Sequence, residues 1–235
     1  VNFQVRRAGA EFLGTATLVA TVVGSGIMGT LLTDDLALVL LINALATVAA
    51  LGVLIWVFGP ISGAHFNPVV TGVALARKEM NLSEGLLYIV VQILGGCTGA
   101  IAANIMFELP AIDPSMRERA GTNIWLGEIV ATAGLLFVIG ALTRTGRGYL
   151  GPILVPAWIG AAYFFTSSTS FANPAVTIGR SLSDSFAGIS PGSVPLFILF
   201  QIIGAAIGAV LTEMFYPRKH PEPLDLPGPI HQKGS

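Results

Sequence analysis

Charge is scarce in this chain of 235 residues: lysine, arginine, aspartate and glutamate together make up 11%, where a soluble domain carries roughly a quarter. So few charges cannot clothe a water-exposed surface, which excludes an ordinary soluble globule and leaves lipid around most of the exterior. Net charge is nearly absent too, at −1, so no whole-chain field draws nucleic acid or an acidic partner. Cysteine occurs once, at Cys97, which excludes an intrachain disulfide and a cysteine-built metal cluster. In its apolar, glycine-rich segment that thiol reads as a packed bystander. What the chain has in quantity is apolar residues, 53%, with 28 glycines, many of them inside apolar runs. A soluble helix loses stability at such glycines, whereas membrane helices use small residues to bring backbones together.

A helix crossing ~30 Å of hydrocarbon needs about 20 mostly apolar residues. Six stretches meet or nearly meet this: 9–32, 36–58, 84–108, 123–143, 150–167 and 194–216. The first, which contains Glu11, reads as a transmembrane helix of the mature chain rather than a cleaved signal. Two further apolar pieces, 67–76 and 173–182, are too short to span, and each begins at an Asn-Pro pair. With the N-terminus inside, Arg6, Arg7, Arg77, Lys78, Arg144, Arg147, Arg218 and Lys219 fall on one side, against Arg117, Arg119 and Arg180 on the other. The excess of basic residues places both termini in the cytoplasm. Residues 217–235, polar and proline-rich, are expected to be a disordered cytoplasmic tail.

The two halves of the chain echo each other. Glu11 and Thr15 correspond to Glu128 and Thr132, Asn67-Pro68-Val69 to Asn173-Pro174-Ala175, and Gln92, Gly95 and Gly99 to Gln201, Gly204 and Gly208. Each half holds three spans, an odd number, so the second half enters the membrane from the opposite face and the repeat is inverted. The expected fold is therefore an all-α membrane protein with six transmembrane helices and two pore-lining half-helices. It forms a single channel domain over 1–235, with repeats at 8–108 and 123–216.

Each Asn-Pro pair has a physical reading as a helix start. Proline at the first turn lacks an N–H that would go unsatisfied there, and asparagine before it is a favoured cap. Two half-helices then point their positive ends at one place near the midplane. Non-helical backbone at that depth is tolerated only where it is buried or lines a water-filled path. The amides of Asn67 and Asn173 can donate to a neutral oxygen while the local potential repels protons and cations.

At these motifs the sequence resembles the aquaporin and aquaglyceroporin family, the major intrinsic proteins. Ser62-Gly63-Ala64-His65-Phe66-Asn67-Pro68-Val69-Val70-Thr71 is similar to the family's first pore loop, and Ser170-Phe171-Ala172-Asn173-Pro174-Ala175-Val176 to its second. Val69 stands where alanine is usual. Val176 is the larger departure, because the family almost always has arginine there. The resemblance implies a four-residue selectivity filter, which gapless counting puts at Thr47, Ala161, Ser170 and Val176. Ala162 and Tyr163 are the alternatives to Ala161. A filter of Thr, Ala, Ser and Val has neither ring nor charge, so the expected pore is wide and weakly polar. The carbonyls of Gly63, Ala64 and His65, then Thr169, Ser170 and Phe171, are implied to line the route.

The resemblance bears on the remaining polar residues as well. The hydroxyl run Thr166 to Ser170 fits either a plain loop or a solute contact. His65 has no second ligand at metal spacing and fits a pore-lining or loop-bracing role. Glu11 and Glu128, intramembrane carboxylates that demand an account, admit a proton relay, but the resemblance implies that each braces the pore loop of its own half. Gly95, Gly99, Gly204 and Gly208 have the spacing of helix contacts. A homotetramer in a bacterial inner membrane, with no cofactor or metal, is likewise implied. Bacterial aquaglyceroporin-like channels with valine for the filter arginine resemble this chain, which points to polyols and neutral metalloid hydroxides such as arsenite. An ordinary water or glycerol channel is the alternative. A secondary transporter would need a coupling-ion site, and a hydrolase a base and nucleophile beside His65; neither is evident.

Overall fold

A computed structural model describes residues 3–218 of the chain. From residue 219 onward, Lys219 included, the expected tail lies outside the described residues. Eight α-helices follow in order: α1 Phe3–Leu32, α2 Leu36–Ser62, α3 Pro68–Ala76, α4 Leu82–Met106, α5 Thr122–Arg144, α6 Gly151–Phe165, α7 Pro174–Arg180 and α8 Val194–Phe215. A 3-10 turn over Gly148–Leu150 leads into α6. All but α3 and α7 are long and apolar enough to cross a membrane, α6 together with its leading turn. Exposed Leu13, Leu45, Val53, Trp56, Ile153 and Val210 give these helices an apolar outer surface.

Helix ends follow local chemistry. Asp35 caps α2 by accepting from the N–H groups of Ala37 and Leu38, at 2.8 and 3.3 Å. Beyond its expected end at 58, α2 continues through Pro60 to Ser62 and stops at Gly63, whose φ of 89° suits a glycine C-cap. Conversely, α6 is shorter than the expected 150–167, because Thr166 leaves the helix in an extended conformation.

Packing reproduces the repeat. α1 packs chiefly on α4 and α5 on α8, while α2 meets α6 across the halves. α3 lies against α4 and α8, and α7 against α8 and α4, so each half-helix rests on both halves. Glycine makes the closest approaches possible. A Cβ on Gly99 would stand 2.1 Å from the carbonyl oxygen of Ala16, and one on Gly208 2.3 Å from that of Ala133. Ala16 and Ala133 are themselves 117 residues apart, the spacing of Glu11 and Glu128.

The arginines sort to opposite ends of the bundle. At one end Arg7 pairs with Glu84, and Arg77 and Arg144 both pair with Glu213. Arg117, Arg119 and Arg180 gather at the other.

Candidate solute pathway at the paired Asn-Pro loops

The two loops that precede α3 and α7 meet at the centre of the bundle. Asn67 caps α3, its Oδ1 accepting from the Val69 N–H at 3.1 Å; Asn173 caps α7, accepting from Ala175 and Val176 at 3.0 and 3.3 Å. The amide nitrogens reach across the halves: Asn67 Nδ2 donates to the Ala172 carbonyl and Asn173 Nδ2 to the Phe66 carbonyl, both at 2.8 Å. Each amide carries two hydrogens, so the reciprocal bond fixes its orientation and leaves one donor over.

The loops hold an uncommon backbone. Gly63, Ala64 and Phe66 have φ of 89°, 51° and 49°; their counterparts Thr169, Ser170 and Ala172 have 63°, 53° and 49°. A left-handed conformation costs about 1–2 kcal/mol at a residue with a Cβ, so something must hold these peptides in place. Two fully buried carboxylates supply the bonds. Glu11 accepts from the N–H groups of His65 (3.0 Å) and Phe66 (2.7 Å), from Ser62 Oγ (2.6 Å) and from Gln92 Nε2 (2.8 Å). Glu128 accepts from the N–H groups of Phe171 and Ala172, both at 2.9 Å, and from Gln201 Nε2 at 2.7 Å. The glutamines also donate to Thr71 and Thr177, in the half-helices of their own halves. His65 sits inside this network, with Nδ1 3.0 Å from Thr71 Oγ1 and its ring edge-on to Tyr88.

One cavity of about 310 Å³ runs past both asparagines. Its wall includes Arg77, Glu79 and Gly148 toward one end and Tyr163, Ser170 and Arg180 toward the other. Leu18, Val22, Leu51, Val70, Leu135 and Val176 form much of its apolar side. Besides the two asparagines and the charged residues toward its ends, its polar groups are those of Thr47, Thr143, Tyr163 and the loop residues Gly63, Ala64, His65, Ser170 and Phe171. Ser170 Oγ is buried with no hydrogen-bond partner among the described residues. Such a site is a mainly apolar passage with isolated hydrogen-bonding groups.

Comparison with known proteins gives this geometry its context. The family described as major intrinsic protein matches residues 1–172. The chain belongs to the major intrinsic proteins. "Aquaglyceroporin AqpS" of Rhizobium meliloti (strain 1021) is 47% identical over 206 residues, 88% of either chain. "Probable aquaporin TIP1-1" of Oryza sativa subsp. japonica is 29% identical over 224 residues, 90% of this chain and 87% of that one. The X-ray structure of the aquaglyceroporin from Plasmodium falciparum shares the fold, with a TM-score of 0.64 over 92% of this chain and 96% of that one at 21% identity. This major intrinsic protein is thus a multi-pass membrane channel of the aquaporin and aquaglyceroporin kind, and not an enzyme.

Within this major intrinsic protein, three of the four residues counted toward the constriction line the cavity: Thr47, Ser170 and Val176. Ala161 does not. It is exposed on the outside of α6, and the cavity face of that helix carries Gly151, Val155, Ile159 and Tyr163, spaced by four. A residue two positions from Ile159 turns to the opposite side. On that face Tyr163 lines the cavity, its hydroxyl 3.2 Å from Thr47 Oγ1, so an aromatic ring borders the passage beside Thr47. Thr169 is absent from the lining, as are the first-turn residues Pro68, Val69, Pro174 and Ala175. Charge reaches the cavity from outside those four positions: Arg180, counted from sequence only among the basic residues of one side, is buried in the cavity wall. Its signal was available: it stands four residues after Val176 on one helix face.

Proposed function

We propose that this channel passes small neutral solutes larger than water: polyols such as glycerol, urea-sized molecules and undissociated metalloid hydroxides such as arsenite. The observation that carries the reading is the wall around Val176. An apolar side chain stands where the family's arginine would narrow the passage, and the hydroxyl-bearing Thr47, Tyr163 and Ser170 line the same cavity. A passage lined by both apolar and hydroxyl-bearing side chains matches a solute that is itself amphipathic, with carbon or a metalloid beside hydroxyls.

Passage would proceed by exchange of hydrogen bonds. A solute leaves water, its oxygen accepting from the second hydrogens of Asn67 and Asn173 while its O–H or N–H groups donate in turn to the loop carbonyls. Meanwhile the positive ends of α3 and α7 disfavour cations. Glu11 and Glu128 act as braces in this scheme: each oxygen holds at least one loop or glutamine donor, and neither side chain lines the cavity. The excess of basic residues near Arg7, Arg77 and Arg144 supports a cytoplasmic position for that end and for both termini. Family membership supports a homotetramer with a pore in each protomer, and the Rhizobium relative supports a bacterial inner membrane.

Purified protein in liposomes, challenged in turn with water, glycerol and arsenite gradients, tests the proposal. Solute flux above that of protein-free vesicles, non-saturating and without an ion gradient, is expected. Water flux alone would refute the solute assignment, and flux that required an ion gradient would return the chain to the transporter class.

A further inference from the structure

Val176 and Arg180 lie four residues apart on α7, one turn of one face, and both line the cavity. Arg180 is only 2% exposed. Its Nε donates to the carbonyl of Ala187, and its Cζ lies 3.4 Å from the centroid of the Phe171 ring. Neither of its terminal nitrogens bonds to a described residue, and among the described residues no carboxylate lies within ion-pair distance. Burying a charge without a counterion is costly, and the fold does not demand one here. The residue 106 positions earlier, in the matching turn of α3, is Ala74, which also lines the cavity.

The surroundings hold this charge in place without neutralising it. Arg117 Nη1 donates to the Phe186 carbonyl at 2.8 Å, and Arg119 Nε to the Gly188 carbonyl at 2.9 Å. Three consecutive carbonyls, of Phe186, Ala187 and Gly188, therefore orient three guanidiniums at one end of the pathway. Arg119 also faces the Phe171 ring, 5.0 Å from its centroid. Carbonyl dipoles and a ring face fix direction but leave the full positive charge, and low-dielectric walls focus its field into the passage.

We infer that Arg180 is the cation barrier of this channel: a fixed guanidinium, one turn beyond Val176, that bars sodium ions and protons while the space at Val176 stays open to neutral solutes. This rests on the channel reading above. A charge set one turn along separates two tasks, size at Val176 and charge at Arg180.

The test is the ratio of sodium and proton permeability to glycerol permeability in liposomes holding the full chain. Protons are read with an internal pH dye under a potassium diffusion potential, and sodium with a trapped indicator. Arg180→Gln is expected to raise the ratio about tenfold or more by removing the focused charge, and Arg180→Lys to keep it near the wild-type value. Val176→Glu provides a route that leaves Arg180 and its Ala187 bond in place: a carboxylate one turn away compensates the guanidinium and raises the ratio similarly. It also covers the case in which Arg180→Gln fails to fold. A ratio unchanged in the variants that do fold overturns the inference. Wild-type vesicles that pass no glycerol would instead count against the channel reading itself, so the two failures are distinguishable.

Discussion

Replacing Glu128 by glutamine removes one carboxylate oxygen and installs a donor in its place. The carboxylate accepts three bonds, from the N–H groups of Phe171 and Ala172 and from Gln201 Nε2. An amide keeps a single acceptor oxygen, so at least one bond to a charged group is lost, worth about 1.5–3 kcal/mol. The new NH2 then faces a backbone N–H that has no alternative partner, a further ~1–3 kcal/mol. About 4 kcal/mol in total is the expectation, which at about 2–4 °C per kcal/mol for a domain of this size lowers the melting temperature by roughly 8–16 °C. The damage does not stay local. Ala172, at φ 49°, offers its carbonyl to Asn67 of the other half, so a relaxed peptide there also frees the first asparagine. Thermal unfolding in detergent and glycerol flux in liposomes are the assays. A melting temperature within about 2 °C of wild type, with unchanged flux, would refute the bracing account and reopen the proton relay for this carboxylate.

Val176→Arg brings a second guanidinium within one turn of Arg180. At ~6 Å and an effective dielectric of about 20 the repulsion is roughly 3 kcal/mol, so glycerol flux should fall more than water flux. Equal fluxes to wild type would mean that Val176 does not border the passage. Tyr163→Phe deletes the hydroxyl that meets Thr47, a change of about 1 kcal/mol. It should lower glycerol flux severalfold with less effect on water, and an equal loss of both would count against a polar contact. Gly208→Ala should destabilise by about 1–3 kcal/mol because its Cβ meets the Ala133 carbonyl. Gly72→Ala, with nothing within 4 Å of the added carbon, serves as the neutral comparison in the same melting assay.

Sequence reading reached the fold through rules that act locally along the chain. Apolar length marks a span wherever it occurs, and Asn-Pro starts a helix by its own dihedral and hydrogen-bond preferences. Hence α3 and α7 begin where their motifs do. The odd number of spans per half then required inversion. Glu11 and Glu128 stood out as carboxylates in apolar runs, but their partners, His65 and Phe66, Phe171 and Ala172, are 43 to 55 residues away. Only packing brings them together.

Rotational phase was less legible. Counting back from Asn173 toward α6 crosses the irregular stretch 166–173, where residue number no longer reports angle, so the count lands on Ala161, which is exposed, while Tyr163 lines the cavity. Basic charge raised a related difficulty. A count of basic residues assigns arginine to a side of the membrane but not to the surface or the interior, and α7 ends inside the protein with Arg180 buried.

By itself the sequence determined that this protein spans a membrane six times, repeats in inverted form and starts two short helices at its centre, because hydrophobicity and helix capping are properties of neighbouring residues. Tertiary structure decided which side chains face the passage, Tyr163 and Arg180 above all, because the side a residue presents depends on where each helix starts, ends and leans on its neighbours.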